Sequence, residues 1–263
     1  RYLCTGPLTR RAEDLMPLLR ILAGPDGRDV GCEARSLEED DPEVVPRLRV
    51  LTIVDNGRTP VSPGLQRAQA SVAAALRDAG ADVQEVAFPA LSESFDIWAS
   101  MLGMAGGETF RGLLGNGSEW DLRVEVMRYI LGRSPHTFPA LVLAVLEKVT
   151  KLSAKRVRRL VALGHELKAE LVEAIGPQGI LLYPSYPTVA PKHHTPLVGP
   201  YRVAYTAILN VMELPVTQVP LGLDASGLPL GVQVAAVHGN DHLTIATARF
   251  LEGVFGGWIP PVL

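Results

Sequence analysis

Apolar positions along this chain alternate between short runs and helical stripes. Residues 50–54 read VLTIV, a β-branched run that suits a strand buried on both faces. Ser62 then caps a helix with Pro63 at its first position. Leu65, Ala68, Val72, Ala75, Leu76 and Ala79 form its apolar stripe, and Gly80 ends it. Residues 82–88 predict a second strand, so strand, helix and strand make a βαβ unit with a right-handed crossover.

The same pattern organises the rest. Near the start, Thr9 is placed to cap a helix whose stripe is Leu15, Leu18, Leu19 and Leu22, stopped by Gly24 and Pro25. Residues 27–46 are acidic and turn-rich (SLEEDDPE) and read as a solvated connection. Residues 91–176 are mostly helical, with breaks at 115–117 and 134–135. The basic residues Lys148, Lys151, Lys155, Arg156, Arg158 and Arg159 read as the wet face of a long helix, with Leu152 and Leu160 pointing inward. Residues 179–183 (GILLY) predict a strand and 201–211 a short helix. Two strands, 215–221 and 230–237, flank the turn at 224–227. Asn240 or Asp241 caps a last helix.

A length of 263 residues, 47% of them hydrophobic, supplies one large core. The net charge of −3 argues against a nucleic-acid or acidic-membrane binder. Cys4 and Cys32 lack any metal-ligand spacing. The longest apolar stretch, 138–146, is far short of the roughly 20 residues that span a bilayer. The opening RYLCTGPLTRR is neither a signal nor a transit peptide, and a start at Arg1 suggests a piece of something longer.

The strand at 179–183 runs into LLYPSYPTVAPKHHTPL (181–197), dense in Pro, aromatic, hydroxyl and His residues. A loop of this kind after a strand builds a pocket wall in α/β proteins. No nucleophile with its base stands beside it. There is no G-x-S-x-G elbow. Ser118 in GNGSEW fits a polar turn before a helix. Ser185 has only His193 and His194 as local bases, and the flanking Pro184 and Pro187 favour a rigid loop with the hydroxyl bonded to nearby backbone. His193 and His194, adjacent on an extended chain, point to opposite sides and do not share one metal ion. His238 and His242 are split by Gly239 and Asn240, and Glu166 and Glu170 alternate with Lys168 on a solvent-type face.

Three segments together carry a family resemblance. The run ELPVTQVPLGLDASGLPLGVQVAAVHGNDHLTIATARFLE (213–252) resembles the tail of the amidase signature family. GPLTRRAEDLMPLLRILAGPDG (6–27) is similar to the segment after that family's catalytic core. The wall loop and the ending FGGW (255–258) look most like its fatty-acid amide hydrolases.

The resemblance implies an α/β/α fold around a mixed twisted sheet. The 263 residues are expected to be the C-terminal part of a single amidase domain. The implied activity is amide-bond hydrolysis, of fatty-acid amides, through an acyl-enzyme formed by a Ser-Ser-Lys triad. The triad falls upstream of the segment matching Arg1, so no catalytic residue is carried onto this chain, and it is expected to be inactive alone. The family uses no cofactor and no metal. The implied partner is a small lipid amide. Nucleic acid is not implied, and membrane contact enters only through an N-terminal segment outside this chain. The longer protein is expected to be intracellular and membrane-associated.

The resemblance assigns Tyr183, Pro184, Ser185, Tyr186, Pro187 and Thr188 to the loop bordering the substrate pocket. Many relatives have Thr where Ser185 stands. Asn210, Leu214, Pro215, Thr217 and Pro220 match the next family segment, and Gly227, Leu228, Pro229, Gly231 and Gln233 its hairpin, where structural roles are expected. Trp98, Met101, Phe138 and Leu141 are candidates for an acyl channel, with core packing favoured. Two other readings stay open: a non-catalytic lipid-amide-binding or scaffold protein, and another amidase-signature activity such as the amidase component of an amidotransferase.

Overall fold

A computed structural model of the chain describes residues 2, 5–28, 31–106, 114–115, 121–138, 140–141, 144, 153–193 and 195–260. Cys4, Ser118, Lys148, Lys151, Leu152 and His194 lie outside the described residues.

Among the described residues, five strands form one mixed sheet. They are β1 (Arg49–Thr52), β2 (Asp82–Glu85), β3 (Gly179–Tyr183), β4 (Val216–Leu223) and β5 (Pro229–Ala236), in the order β2-β1-β3-β5-β4. β1 runs parallel to both β2 and β3, whereas β5 is antiparallel to β3 and β4. Among the described residues, the helices with defined bounds are α1 (Leu15–Leu22), α2 (Pro63–Asp78), α3 (Ser94–Met104), α4 (Leu122–Ile130), α5 (Ala154–Ile175), α6 (Ala204–Val211) and α7 (Asp241–Phe255).

Two cores sandwich the sheet because alternate strand residues face opposite sides. Leu51, Leu181, Tyr183 and Ala235 pack with α3, α5 and α6. Val50, Ile180, Leu182 and Val234 pack with α2 and α7. The expected α/β/α architecture and the βαβ order of β1, α2 and β2 are therefore present, and GILLY forms β3 over the predicted residues. β3 is buried at every position, which explains its unbroken apolar run.

Local details differ from the sequence reading. Thr9 does not cap α1: its hydroxyl donates to the Arg11 carbonyl (2.7 Å) instead of accepting from a helical amide. A 3-10 turn, Ala12–Asp14, intervenes before α1. In the predicted α1 stripe Leu18 and Leu22 are exposed and Leu15 and Leu19 half-buried, and the buried residue of the helix is Met16, outside that stripe. The acidic connection is not wholly solvated. Val45 enters the core, and Asp40 is buried against Arg249 (3.0 Å) of α7. On α5, Arg156 and Arg159 do more than face water. They reach Asp96 (3.0 Å) and Glu93 (2.6 Å), tying α5 to the start of α3, while Leu160 turns inward as expected.

Helix α4 exposes Val124, Met127 and Ile130 but buries the carboxylate of Glu125. Arg128 (2.7 Å) and Ser134 (3.1 Å) both donate to it. The Arg128 hydrogen bond is the largest influence on Glu125 and holds its pKa below the ordinary value of 4.5, with burial opposing. A carboxylate depressed by folding contributes stability in full above its unfolded pKa, and loses that contribution as pH falls through the folded value. Glu125→Gln is therefore expected to lower the melting temperature at pH 7 and to narrow the gap to the parent at pH 3. Parallel melting curves at the two pH values, with the same gap at each, would show that Glu125 does not drive acid sensitivity.

Candidate functional site

β1 and β3 are parallel neighbours, so the loops leaving their carboxyl ends lie at the same side of the sheet. The loop after β1 holds Asp55, Asn56, Gly57, Arg58 and Thr59. The loop after β3 holds the predicted wall.

Short-range bonds shape the first loop. The Asp55 carboxylate accepts from the Gly57 amide (2.7 Å), and the Asn56 side-chain oxygen accepts from the amides of Arg58 (3.1 Å) and Thr59 (2.9 Å). These are Asx-type turns, which Asp and Asn favour. Tyr205 of α6 fastens the loop: its hydroxyl donates to the Thr59 carbonyl (2.5 Å) and accepts from the Asn56 amide (3.1 Å). Burial is the main reason that the Tyr205 hydroxyl is pushed up to about 12. The Tyr205 ring lies 5.3 Å from that of Tyr183, whose hydroxyl burial also pushes upward.

The wall splits into a buried back and a half-exposed front. Tyr183, Pro184 and Pro187 are buried, whereas Ser185, Tyr186 and Thr188 are half-buried. Its carbonyls are held from behind. Gln233 of β5 donates to Pro184 O (3.0 Å) and Tyr205 O (3.3 Å). Thr206 of α6 donates to Ser185 O (2.8 Å). The Ser62 amide, at the start of α2, donates to Pro187 O (2.7 Å). Ser185 is thus anchored by its carbonyl; among the described residues its hydroxyl meets no backbone acceptor and no base. That corrects the expected hydroxyl-to-backbone bond.

The other sequence candidates disperse. His193 is exposed. His238 lies 3.7 Å from Glu33 and His242 3.4 Å from Glu38, so each imidazole faces a different carboxylate of the acidic connection. Glu166 and Glu170 are exposed on α5, and Lys168 pairs with Glu213 instead. Met101 and Leu141 are core, Phe138 is exposed, and Trp98 packs at a tilt against Phe95 (ring centroids 5.7 Å apart). Phe95 in turn meets Tyr201 edge-on (5.0 Å), and the Arg58 guanidinium lies over the Tyr201 ring (4.7 Å). Sequence reasoning placed Gln233 in a hairpin and passed over Tyr205, Thr206 and Asn56. The one available signal was a glutamine at a buried strand position, where an amide must find partners.

Residues 1–245 match the amidase family. The chain belongs to the amidase family. Among amidases it is 43% identical to fatty-acid amide hydrolase 2-B of Danio rerio, over 99% of this chain and 50% of that protein. It is 40% identical to fatty-acid amide hydrolase 2 of Homo sapiens, again over 99% of this chain and 50% of the relative. The chain therefore spans about half the length of these curated relatives. The amidase fold is seen in the solved structure of a 6-aminohexanoate cyclic dimer hydrolase, which superposes with a TM-score of 0.66 at 20% identity, over 94% of this chain and 54% of that one. A solved fatty acid amide hydrolase superposes with a TM-score of 0.65, also at 20% identity, over 95% of this chain and 48% of that one. No helix among the described residues is long and apolar enough to cross a membrane.

Proposed function

We propose that this chain is the C-terminal part of an amidase domain that hydrolyses fatty-acid amides. The observation that carries this reading is the identity of 40–43% to two fatty-acid amide hydrolases across 99% of the chain. In it, the nucleophilic Ser of a Ser-Ser-Lys triad attacks the amide carbonyl, the C–N bond breaks and the amine leaves with the proton relayed from that hydroxyl, and water then hydrolyses the acyl ester to release the fatty acid and restore the Ser. The triad belongs to the half of the relatives' length that this chain does not span. The chain supplies one side of the pocket: Ser185, Tyr186 and Thr188 as the face toward substrate, with Tyr183, Pro184 and Pro187 as its backing.

The wall supports an apolar substrate. The residues on its open face, Ser185, Tyr186 and Thr188, carry no charge and include the Tyr186 ring, while Tyr183, Pro184 and Pro187 stiffen the loop behind them. A glutamine-processing amidotransferase needs polar or charged groups around a small polar substrate, which makes it the weaker reading. A scaffold role would require the chain to fold alone as a cooperative monomer.

The test compares two proteins. One is the chain joined to an upstream amidase half carrying the triad, and the other is the chain alone. Oleamide turnover is expected in the first and absent in the second. Turnover by the chain alone, retained after purification from an amidase-deficient host, would overturn the division of labour. A longer protein that hydrolyses short polar amides but not oleamide would overturn the substrate class.

A further inference from the structure

The wall is fixed at three carbonyls by donors from three separate elements: Gln233 of β5 on Pro184 O, Thr206 of α6 on Ser185 O, and the Ser62 amide on Pro187 O. Two of these anchors hold prolines, whose φ is already locked. Between them stand Ser185 and Tyr186, both half-buried and both carrying a hydroxyl. Their backbone amides make no backbone hydrogen bond among the described residues. Thr206 is thus the single described hydrogen-bond anchor on this dipeptide.

We propose that Thr206 is a positioning residue for substrate binding: its hydroxyl fixes the Ser185 peptide plane, and with it the direction in which Ser185 and Tyr186 face the pocket. The proposal rests on the amide-hydrolase reading given above. Its physical basis is the softness of an unanchored dipeptide. A trans peptide plane rotates as a unit about the flanking φ and ψ, so freeing one carbonyl swings both the Ser185 carbonyl and the Tyr186 amide. Gln233 could not serve the same role cleanly, because it is buried and ties β5 to α6 as well as to the wall. Thr206 is exposed, and among the described residues its hydroxyl has no other partner. It acts through Ser185 and Tyr186 and is not itself a catalytic residue.

The test uses the full-length protein with Thr206→Val, which keeps the branched shape and removes the donor, and Thr206→Ser, which keeps the donor. Hydrogen–deuterium exchange of the Ser62 amide, whose bond to Pro187 O holds only while the wall keeps its place, is expected to quicken about fivefold in Thr206→Val, the size of one net hydrogen bond. KM for oleamide is expected to rise about fivefold with kcat nearly unchanged, the pattern of lost uniform binding. Thr206→Ser should restore both. Unchanged exchange in Thr206→Val would overturn the anchor. Faster exchange with an unchanged KM would overturn its role in binding. If the parent protein turns over no amide, the proposed function fails by itself, and the exchange comparison still decides the anchor: faster exchange supports it and unchanged exchange overturns it.

Discussion

Gly179→Ala is expected to destabilise the fold by about 3 kcal/mol, the upper range for forcing an extra carbon into a packed interior. Gly179 opens β3 and is buried. A Cβ there would stand 1.9 Å from the Ile175 carbonyl oxygen and 3.3 Å from the Arg49 carbonyl oxygen. Both obstacles are backbone, so no rotamer change relieves the contact. The first belongs to the end of α5 and the second to β1, which pairs with β3 at this very residue. Relief requires lifting α5 from the sheet or parting its two central parallel strands.

Gly253→Ala is the control. It sits within α7, and a Cβ there meets nothing within 4 Å. Helix propensity alone predicts a gain of about 0.5–1 kcal/mol. Urea denaturation of the two variants should move the midpoint in opposite directions. A Gly179→Ala loss below about 1 kcal/mol would mean that the turn between α5 and β3 moves freely, contrary to close packing at that position.

Much of the frame was legible because each of its elements is locally consistent. VLTIV and GILLY are apolar at nearly every position and bounded by turn residues, as strands covered on both faces must be. The Asp224 turn was legible for the same reason. Its carboxylate accepts from the amides of Ser226 and Leu228, a local arrangement. Thr9 misled because a hydroxyl can donate as well as accept, and a cap requires the second. The arginines of α5 were read as solvated because their partners, Glu93 and Asp96, lie on another helix and its lead-in, some sixty residues earlier.

The proposed wall was legible as a loop and not in what supports it. The prolines and tyrosines of the loop single it out by composition as a candidate wall. What holds it comes from Ser62, Thr206 and Gln233, which are distant in sequence, and no periodicity links them. Buried glutamines were the overlooked clue. Gln69 donates to Thr52, and to the carbonyl of Ile53 at 2.8 Å, while Gln233 donates to the wall. Each amide sits where the pattern asks for an apolar residue, which requires partners on another element.

Tyr205 is where fold and site depend on one side chain, and its replacement is expected to have the largest effect. The side chain is fully buried. Tyr205→Ala removes an aromatic ring from the core beside Tyr183 and should cost about 4–5 kcal/mol. Tyr205→Phe isolates the hydroxyl. It keeps the ring but leaves the Asn56 amide and the Thr59 carbonyl without their shared partner, at a cost of about 1–3 kcal/mol. The two losses should separate in thermal melts. Equal losses would assign the whole effect to the hydroxyl.

Alkaline pH supplies an independent check on the same residue. Burial raises the Tyr205 hydroxyl from 10.0 to about 12, because ionisation would place a phenolate in the interior. A group whose folded pKa lies above its unfolded value contributes stability in full below the unfolded value, and that contribution is lost as pH rises through the folded one. The parent should therefore lose stability between about pH 10 and 12. Tyr205→Phe should lose less across that window, so that parent and variant converge at high pH. Tyr183, raised in the same direction by burial, keeps some alkaline sensitivity in the variant. A constant gap from about pH 8 to 12 would mean that Tyr205 ionises as readily in the fold as in water. The loop after β1 would then be held by something other than a buried, neutral phenol.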